Sequence, residues 1–121
     1  MTSFAEWCSE QGMPISYHHH MAAVIETEYE VDTFMNYSGP ALNLLFDTGH
    51  MAMAGGDLQR VIVNHHARIS HIHTKDIRKS VLQKLERQKE SFLDAVIKGV
   101  FTVPGDGDLD FDKVVKLLAS F

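Results

Sequence analysis

Residues 42–46 read Leu-Asn-Leu-Leu-Phe, an apolar run that stops abruptly on a carboxylate, Asp47, with an imidazole three residues later at His50. A strand buried on both faces reads as a near-continuous hydrophobic run, and such strands belong to parallel sheets covered by helices. The charge at its end then falls where the strand leaves the core. In parallel α/β architectures that C-terminal edge is where active sites are assembled. Asp47 and His50 are therefore the first candidates for chemistry.

The flanking segments alternate around this strand. Ser3 is positioned to cap a first helix bearing Phe4, Trp7 and Cys8 at helical spacing, and Gly12-Met-Pro14 stops it. Ile15 to His18 reads as a strand. Thr27 to Glu30 has capping-box spacing for a helix presenting Val31, Phe34 and Met35. Asp57 is the expected N-cap of a helix carrying Leu58, Val61 and Ile62, and Ile69 to Thr74 is a third strand. Residues 77–98 read as a helical pair, the first marked by Ile77, Val81, Leu82 and Leu85, the second capped by Ser91. Val100 to Val103 is short and extended, Pro104 to Gly107 a turn, and Phe111 to Leu118 a last helix. This order predicts one α/β domain over 1–121 built from right-handed βαβ units on a parallel sheet.

Composition narrows the function. A net charge of −5 argues against general nucleic-acid binding, which needs basic excess. No apolar run approaches a membrane span, and Met1 to Trp7 lacks the pattern of a signal peptide. One cysteine, Cys8, excludes an internal disulfide framework and suits a reducing, cytoplasmic setting. Eight histidines are the unusual count: His18-His19-His20 form an internal run, and the others are scattered.

Strand parity gathers them. If Asp47 points into a site, Asn43 and Leu45 share its face while Leu44 and Phe46 face the helices. His71 and His73 share a face of the third strand, as do Ser16, His18 and His20 if the first stays extended. Three parallel strands thus end in His18/His20, Asp47/His50 and His71/His73. Mixed imidazole and carboxylate donors suit manganese, cobalt, iron or zinc better than magnesium or calcium. Asp106, Asp108, Asp110 and Asp112 alternate like a calcium loop but lack its glycine and glutamate, which leaves turn and N-cap roles. Cys8 reads as core, His65 and His66 as surface residues of a helix, and the mixed charges of Lys84 to Glu90 as a solvated helix face.

Four stretches together resemble a known family. They are Tyr17-His-His-His20-Met; Leu45-Phe-Asp47-Thr-Gly-His50 with Ala54-Gly-Gly-Asp57; His71-Ile-His73-Thr-Lys75-Asp76; and Ser91-Phe-Leu-Asp-Ala-Val with Gly99-Val-Phe-Thr-Val-Pro-Gly-Asp-Gly107. The chain is similar to the inosose dehydratases of myo-inositol catabolism, within the xylose isomerase-like TIM barrels. The resemblance implies about half of an eight-stranded barrel, a fold that takes roughly 250 residues. The first strands would be absent, and a last strand bearing a glutamate ligand would begin just past Phe121.

It further implies Asp47 and His73 as metal ligands, with His18 first and His20 second for the neighbouring strand, where relatives usually offer Glu. His50, His20 and Lys75 would bind substrate; Lys75, His50 and Asp76 are candidates for proton transfer. The implied cofactor is a divalent metal, Mn2+ or Co2+ first and Zn2+ or Fe2+ next. The implied reaction removes water from a polyol-ketone, 2-keto-myo-inositol, giving a trihydroxycyclohexane-dione. The metal supplies Lewis acidity at the ketone, a base takes the α-proton and an acid protonates the departing β-hydroxyl. A ketose isomerase or epimerase of the same superfamily uses the same site logic. An inactive half-barrel that self-associates through its exposed edges as a homo-oligomer is the other alternative.

Overall fold

A computed structural model describes residues 1–86 and 88–121. The apolar run at the centre of the sequence is the central strand of the fold. Strands β1 (Ile15–His18), β2 (Leu42–Asp47) and β3 (Ile69–His73) form a sheet in the order β1-β2-β3, parallel throughout. Helices α1 (Thr2–Glu10), α2 (Glu28–Tyr37), α3 (Thr48–Met53) and α4 (Leu58–His65) alternate with them, and α5 (Lys79–Leu82), α6 (Phe92–Ile97) and α7 (Phe111–Leu118) follow. A two-stranded antiparallel ribbon, β4 (Asp76–Ile77) with β5 (Phe101–Thr102), stands beside the sheet.

Parity on β2 is as expected from its sequence. Leu42, Leu44 and Phe46 are fully buried, and Leu44 and Phe46 pack with Val31, Met35, Met51, Val61, Ile62 and Val114. Asn43 and Leu45, on the other face, are only half-buried. Each helix is anchored by local chemistry. The Thr27 hydroxyl accepts the Glu30 N–H while the Glu30 carboxylate accepts the Thr27 N–H, closing the capping box of α2. Asp57 caps α4, Ser91 caps α6 and Asp110 caps α7. The C-terminal end of α2 is held by a residue whose role has no local sequence signal. The Arg68 guanidinium donates to the carbonyls of Met35, Gly39 and Leu42, tying the helix end to the start of β2.

Several elements depart from expectation. The first helix starts at Thr2 with Met1 as its N-cap, so Ser3 lies inside it. The first of the paired helices shrinks to the four residues of α5, because Ile77 is drawn into β4 opposite Phe101 and the Arg78 N–H bonds Val100 O. The stretch Lys84 to Glu90 falls on turns and irregular chain rather than a helix face; its Arg87 lies outside the described residues. His65 is buried, its Nε2 2.6 Å from Asp32 Oδ1 on α2, instead of lying on the surface. Cys8 is buried, as core.

Candidate metal centre and active site

The sheet delivers its polar groups to one edge. Asp47 ends β2 and is at once the N-cap of α3, its Oδ1 accepting the His50 N–H at 2.9 Å. That leaves Oδ2 facing outward from a fully buried carboxylate. His18 ends β1 opposite Leu45 and His73 ends β3 opposite Asp47, so the parallel sheet delivers all three side chains to the same edge. His18 Nε2 lies 3.6 Å and His73 Nδ1 3.4 Å from Asp47 Oδ2. The three donor atoms lie within 4.8 Å of one another. Two donors on one metal, each about 2.1 Å from it, stand roughly 3.0–3.4 Å apart, so the two pairs that share Asp47 Oδ2 need little contraction. Among the described residues, His18 Nε2 and Asp47 Oδ2 are buried atoms without an aligned hydrogen bond, which a bound cation would satisfy. One carboxylate with two imidazoles fits a divalent transition metal.

Beside this cluster, Lys75 Nζ sits 3.1 Å from Asp47 Oδ2 and 2.9 Å from His50 Nε2, with the Phe101 ring centroid 4.9 Å away. The Lys75 carbonyl is held by the Thr48 hydroxyl at 2.6 Å, and the same hydroxyl reaches His73 O at 3.2 Å. The segment from His73 to Lys75 is thereby pinned across the start of α3. His20 leaves the strand but returns, its ring centroid 3.6 Å from that of His50. Phe92 and Phe101 close the wall, 5.7 Å and 5.2 Å from His50.

Electrostatics follow burial. Burial lowers the His18 imidazole below its ordinary value despite Asp47 beside it, and lowers His50 further. Both are neutral at pH 7, the state a metal ligand or proton acceptor needs. Burial alone raises the Asp47 carboxyl, but the His50 N–H, the His50 imidazole and the Lys75 ammonium together bring it below its ordinary value.

Of the residues singled out from sequence, His18, Asp47, His73, Lys75, His50 and His20 converge here. His71 does not: it stands opposite Leu45, two residues short of the edge that His73 reaches, and its side chain is exposed. Asp76 also lies apart. Its carboxylate is fully buried and accepts the backbone N–H groups of Ile77, Gly105, Gly107 and Leu109 at 2.8–3.1 Å, organising the turn instead of facing the cluster. Residues missed in the sequence are His19, which supports Asp47 from behind, and the ring wall of Phe92 and Phe101. Aromatic residues read as core, and only their closeness to the histidines reveals the wall.

A parallel sheet of βα units with a His-Asp-His cluster at its C-terminal edge defines a TIM-barrel class with a candidate metal site. The whole chain, residues 1–121, matches the family described as xylose isomerase-like TIM barrel, and the protein belongs to that family. Within it, the chain is 45% identical over 119 residues to the rhizopine catabolism protein MocC of Rhizobium meliloti, covering 98% of this chain and 37% of that protein. It is 46% identical over 110 residues to the inosose dehydratase of Clostridium perfringens, covering 90% and 37%, and 44% identical over 119 residues to that of Geobacillus thermodenitrificans, covering 98% and 40%. The chain thus spans about two fifths of the length of these relatives. Among solved structures, the probable 3-DHS dehydratase AsbF of Bacillus anthracis superposes with a TM-score of 0.75 at 15% identity, covering 98% of this chain and 44% of that one. At that identity the match speaks for the fold alone.

Proposed function

We propose that this chain carries the catalytic edge of a metal-dependent dehydratase acting on a cyclic polyol-ketone, 2-keto-myo-inositol. The observation that carries the reading is the convergence of His18 Nε2, Asp47 Oδ2 and His73 Nδ1 with Lys75 Nζ beside them. The 40–46% identity to inosose dehydratases supports the substrate. So does the half-buried ring wall of His20, Phe92 and Phe101, a surface against which the C–H face of a six-membered ring can lie.

His18, Asp47 and His73 are the residues that would hold the metal, a divalent transition metal by donor type, with Mn2+ or Co2+ first by the resemblance to the dehydratases. Bound there, it supplies Lewis acidity toward the ketone oxygen. Lys75 is half-buried, with its ammonium toward the cluster, and it is the group that exchanges protons with substrate. His50 is almost fully buried and reaches substrate through Lys75, across the 2.9 Å bond. The Lys75–His50 pair gains the α-proton as the C–H bond breaks and gives one to the β-hydroxyl as the C–O bond breaks. Water leaves, a C=C bond forms, and the proton count of the pair is restored. The enol product then tautomerises to the diketone. Asp76 is a positioning residue in this scheme. The lone, buried Cys8 suits a cytoplasmic enzyme. The edge strands β1 and β3, with Phe4 and Trp7 exposed on α1, suit self-association into a homo-oligomer.

The test is to load the purified chain with Co2+ or Mn2+ and follow absorbance of the diketone from 2-keto-myo-inositol, with ketohexoses as the competing substrates. Metal binding with inosose turnover supports the reading. Turnover of ketoses alone overturns the dehydratase in favour of an isomerase or epimerase, and a chain that takes up no metal overturns the site.

A further inference from the structure

The parallel ladder between β1 and β2 ends at His18 opposite Leu45, whereas the ladder between β2 and β3 continues to Asp47 opposite His73. Asp47 therefore has a strand partner on one side only. On the other side the chain has turned away after His18, and His20 N–H bonds Ile25 O instead of continuing the sheet. The Asp47 N–H is still satisfied, at 3.1 Å, by the side chain of His19 through Nε2. The ring is fully buried, with its centroid 5.8 Å from that of Phe46.

We infer that His19 is a positioning residue of the metal centre: its imidazole replaces the missing strand carbonyl and fixes Asp47 against His18. The inference rests on the metal reading of the cluster and adds a residue to it. Because Nε2 accepts, the ring proton is on Nδ1, and that buried atom has no hydrogen-bond partner among the described residues. Phenylalanine would fill the same space without leaving a buried donor unpaired. Packing alone gives no reason for a histidine here, and the Nε2 acceptor does. The placement also couples two ligands mechanically. One dipeptide, His18-His19, carries one donor on its first side chain and grips the backbone of the next donor with its second. Supporting contacts of this kind set ligand orientation, and their loss typically costs 10- to 100-fold in metal affinity.

The test compares the parent chain with His19→Phe and His19→Gln, the latter keeping a side-chain acceptor. Two readouts are taken: amide exchange at Asp47 in the metal-free protein, referenced to Leu44 on the same strand, and Co2+ affinity by calorimetry. The expected result is exchange at Asp47 at least tenfold faster and Co2+ binding at least tenfold weaker in His19→Phe, both restored to within about threefold by His19→Gln. Unchanged exchange at Asp47 in His19→Phe overturns the inference, and so does a glutamine variant that fails as phenylalanine does. If His19→Phe does not fold, the glutamine variant decides by itself: Asp47 protected as in the parent supports the inference, Asp47 exposed overturns it. If the parent takes up no Co2+, the metal reading falls, and the exchange comparison still decides the role of His19.

Discussion

Gly49 is the surface on which Lys75 lies: a Cβ built at position 49 would stand 2.8 Å from Lys75 Cγ and 2.9 Å from its Cβ. The glycine sits in α3 without a positive φ, so alanine there is conformationally free and adds helix propensity. The clash is with the stem of Lys75 near its backbone, where the side chain has least freedom to yield. Gly49→Ala is expected to move Nζ off Asp47 and His50 and, on the proposed dehydratase reading, to cut turnover at least tenfold, while Co2+ affinity stays within threefold. Turnover and calorimetry on the same preparation check it. Lys75→Met is expected to cost well over tenfold by itself, and the double variant no more than the worse single, because both substitutions remove one group from one place.

Asp47 does two jobs with two oxygens, and asparagine separates them. Oδ1 caps α3 by accepting the His50 N–H, and Oδ2 faces His18, His73 and Lys75. Asp47→Asn keeps a neutral acceptor for the cap but loses the anionic donor. Expected outcomes are loss of measurable Co2+ binding with far-UV dichroism unchanged. Asp47→Ala loses both functions, and a missing cap adds about 1 kcal/mol of destabilisation in urea titration.

The turn that follows β5 is stapled to Asp76. Gly107 lies so close to that carboxylate that no side chain fits between them, and its N–H donates to Oδ2 at 3.1 Å. Removing the carboxylate strands backbone donors in a buried place. Asp76→Ala is expected to lower stability by about 4 kcal/mol, given four charge-assisted bonds that do not add fully. Asparagine is little better, since its NH2 group would turn donors toward donors. A proton carrier would behave in the opposite way, with Asp76→Asn losing turnover at unchanged stability. Urea midpoints for both variants and for Gly107→Ala discriminate the two.

How much of this was legible in the sequence depends on whether the signal was local. The parity of Leu42 to Asp47, the capping box at Thr27 and Glu30, and the caps at Asp57 and Ser91 are written within a few residues, and the structure has them in place. Counting strands in a parallel sheet gathers the pairs His18/His20, Asp47/His50 and His71/His73, whereas the choice of His18, Asp47 and His73 among them rests on the family resemblance. What local reading could not supply was set by partners far along the chain. Ile77 has helical spacing with Val81, but pairing with Phe101 draws it into a strand. Asp76 sits in a motif beside Lys75, and only the arrival of Gly105, Gly107 and Leu109 shows which way its carboxylate is turned. His65 reads as a surface histidine until Asp32 meets it across the α2–α4 contact. His19, between two histidines, carries no spacing signal at all, because its role depends on where β1 stops pairing.

Acid is expected to destabilise the chain through its buried imidazoles. Burial lowers the His19 pKa to about 4 and lowers His50 as well, whereas in the unfolded chain both titrate near 6.5. Between those values the unfolded state binds more protons than the folded one, so stability rises with pH across this window. The contribution is fully present above pH 6.5 and is lost as pH falls toward 4. For His19 alone the loss between pH 7 and pH 5 is about 2 kcal/mol, since each tenfold difference in proton affinity between the two states is worth about 1.4 kcal/mol. Asp47 acts in the same direction but lower: its folded pKa lies below its ordinary value of 3.8, so its share is lost only under more acidic conditions. Urea midpoints at pH 7, 6 and 5 in the metal-free protein check the slope. His19→Gln, which keeps the bond to Asp47 and cannot titrate, is expected to flatten the dependence by about half while leaving the pH 7 midpoint close to that of the parent. An unchanged slope in that variant would mean that the acid sensitivity originates elsewhere.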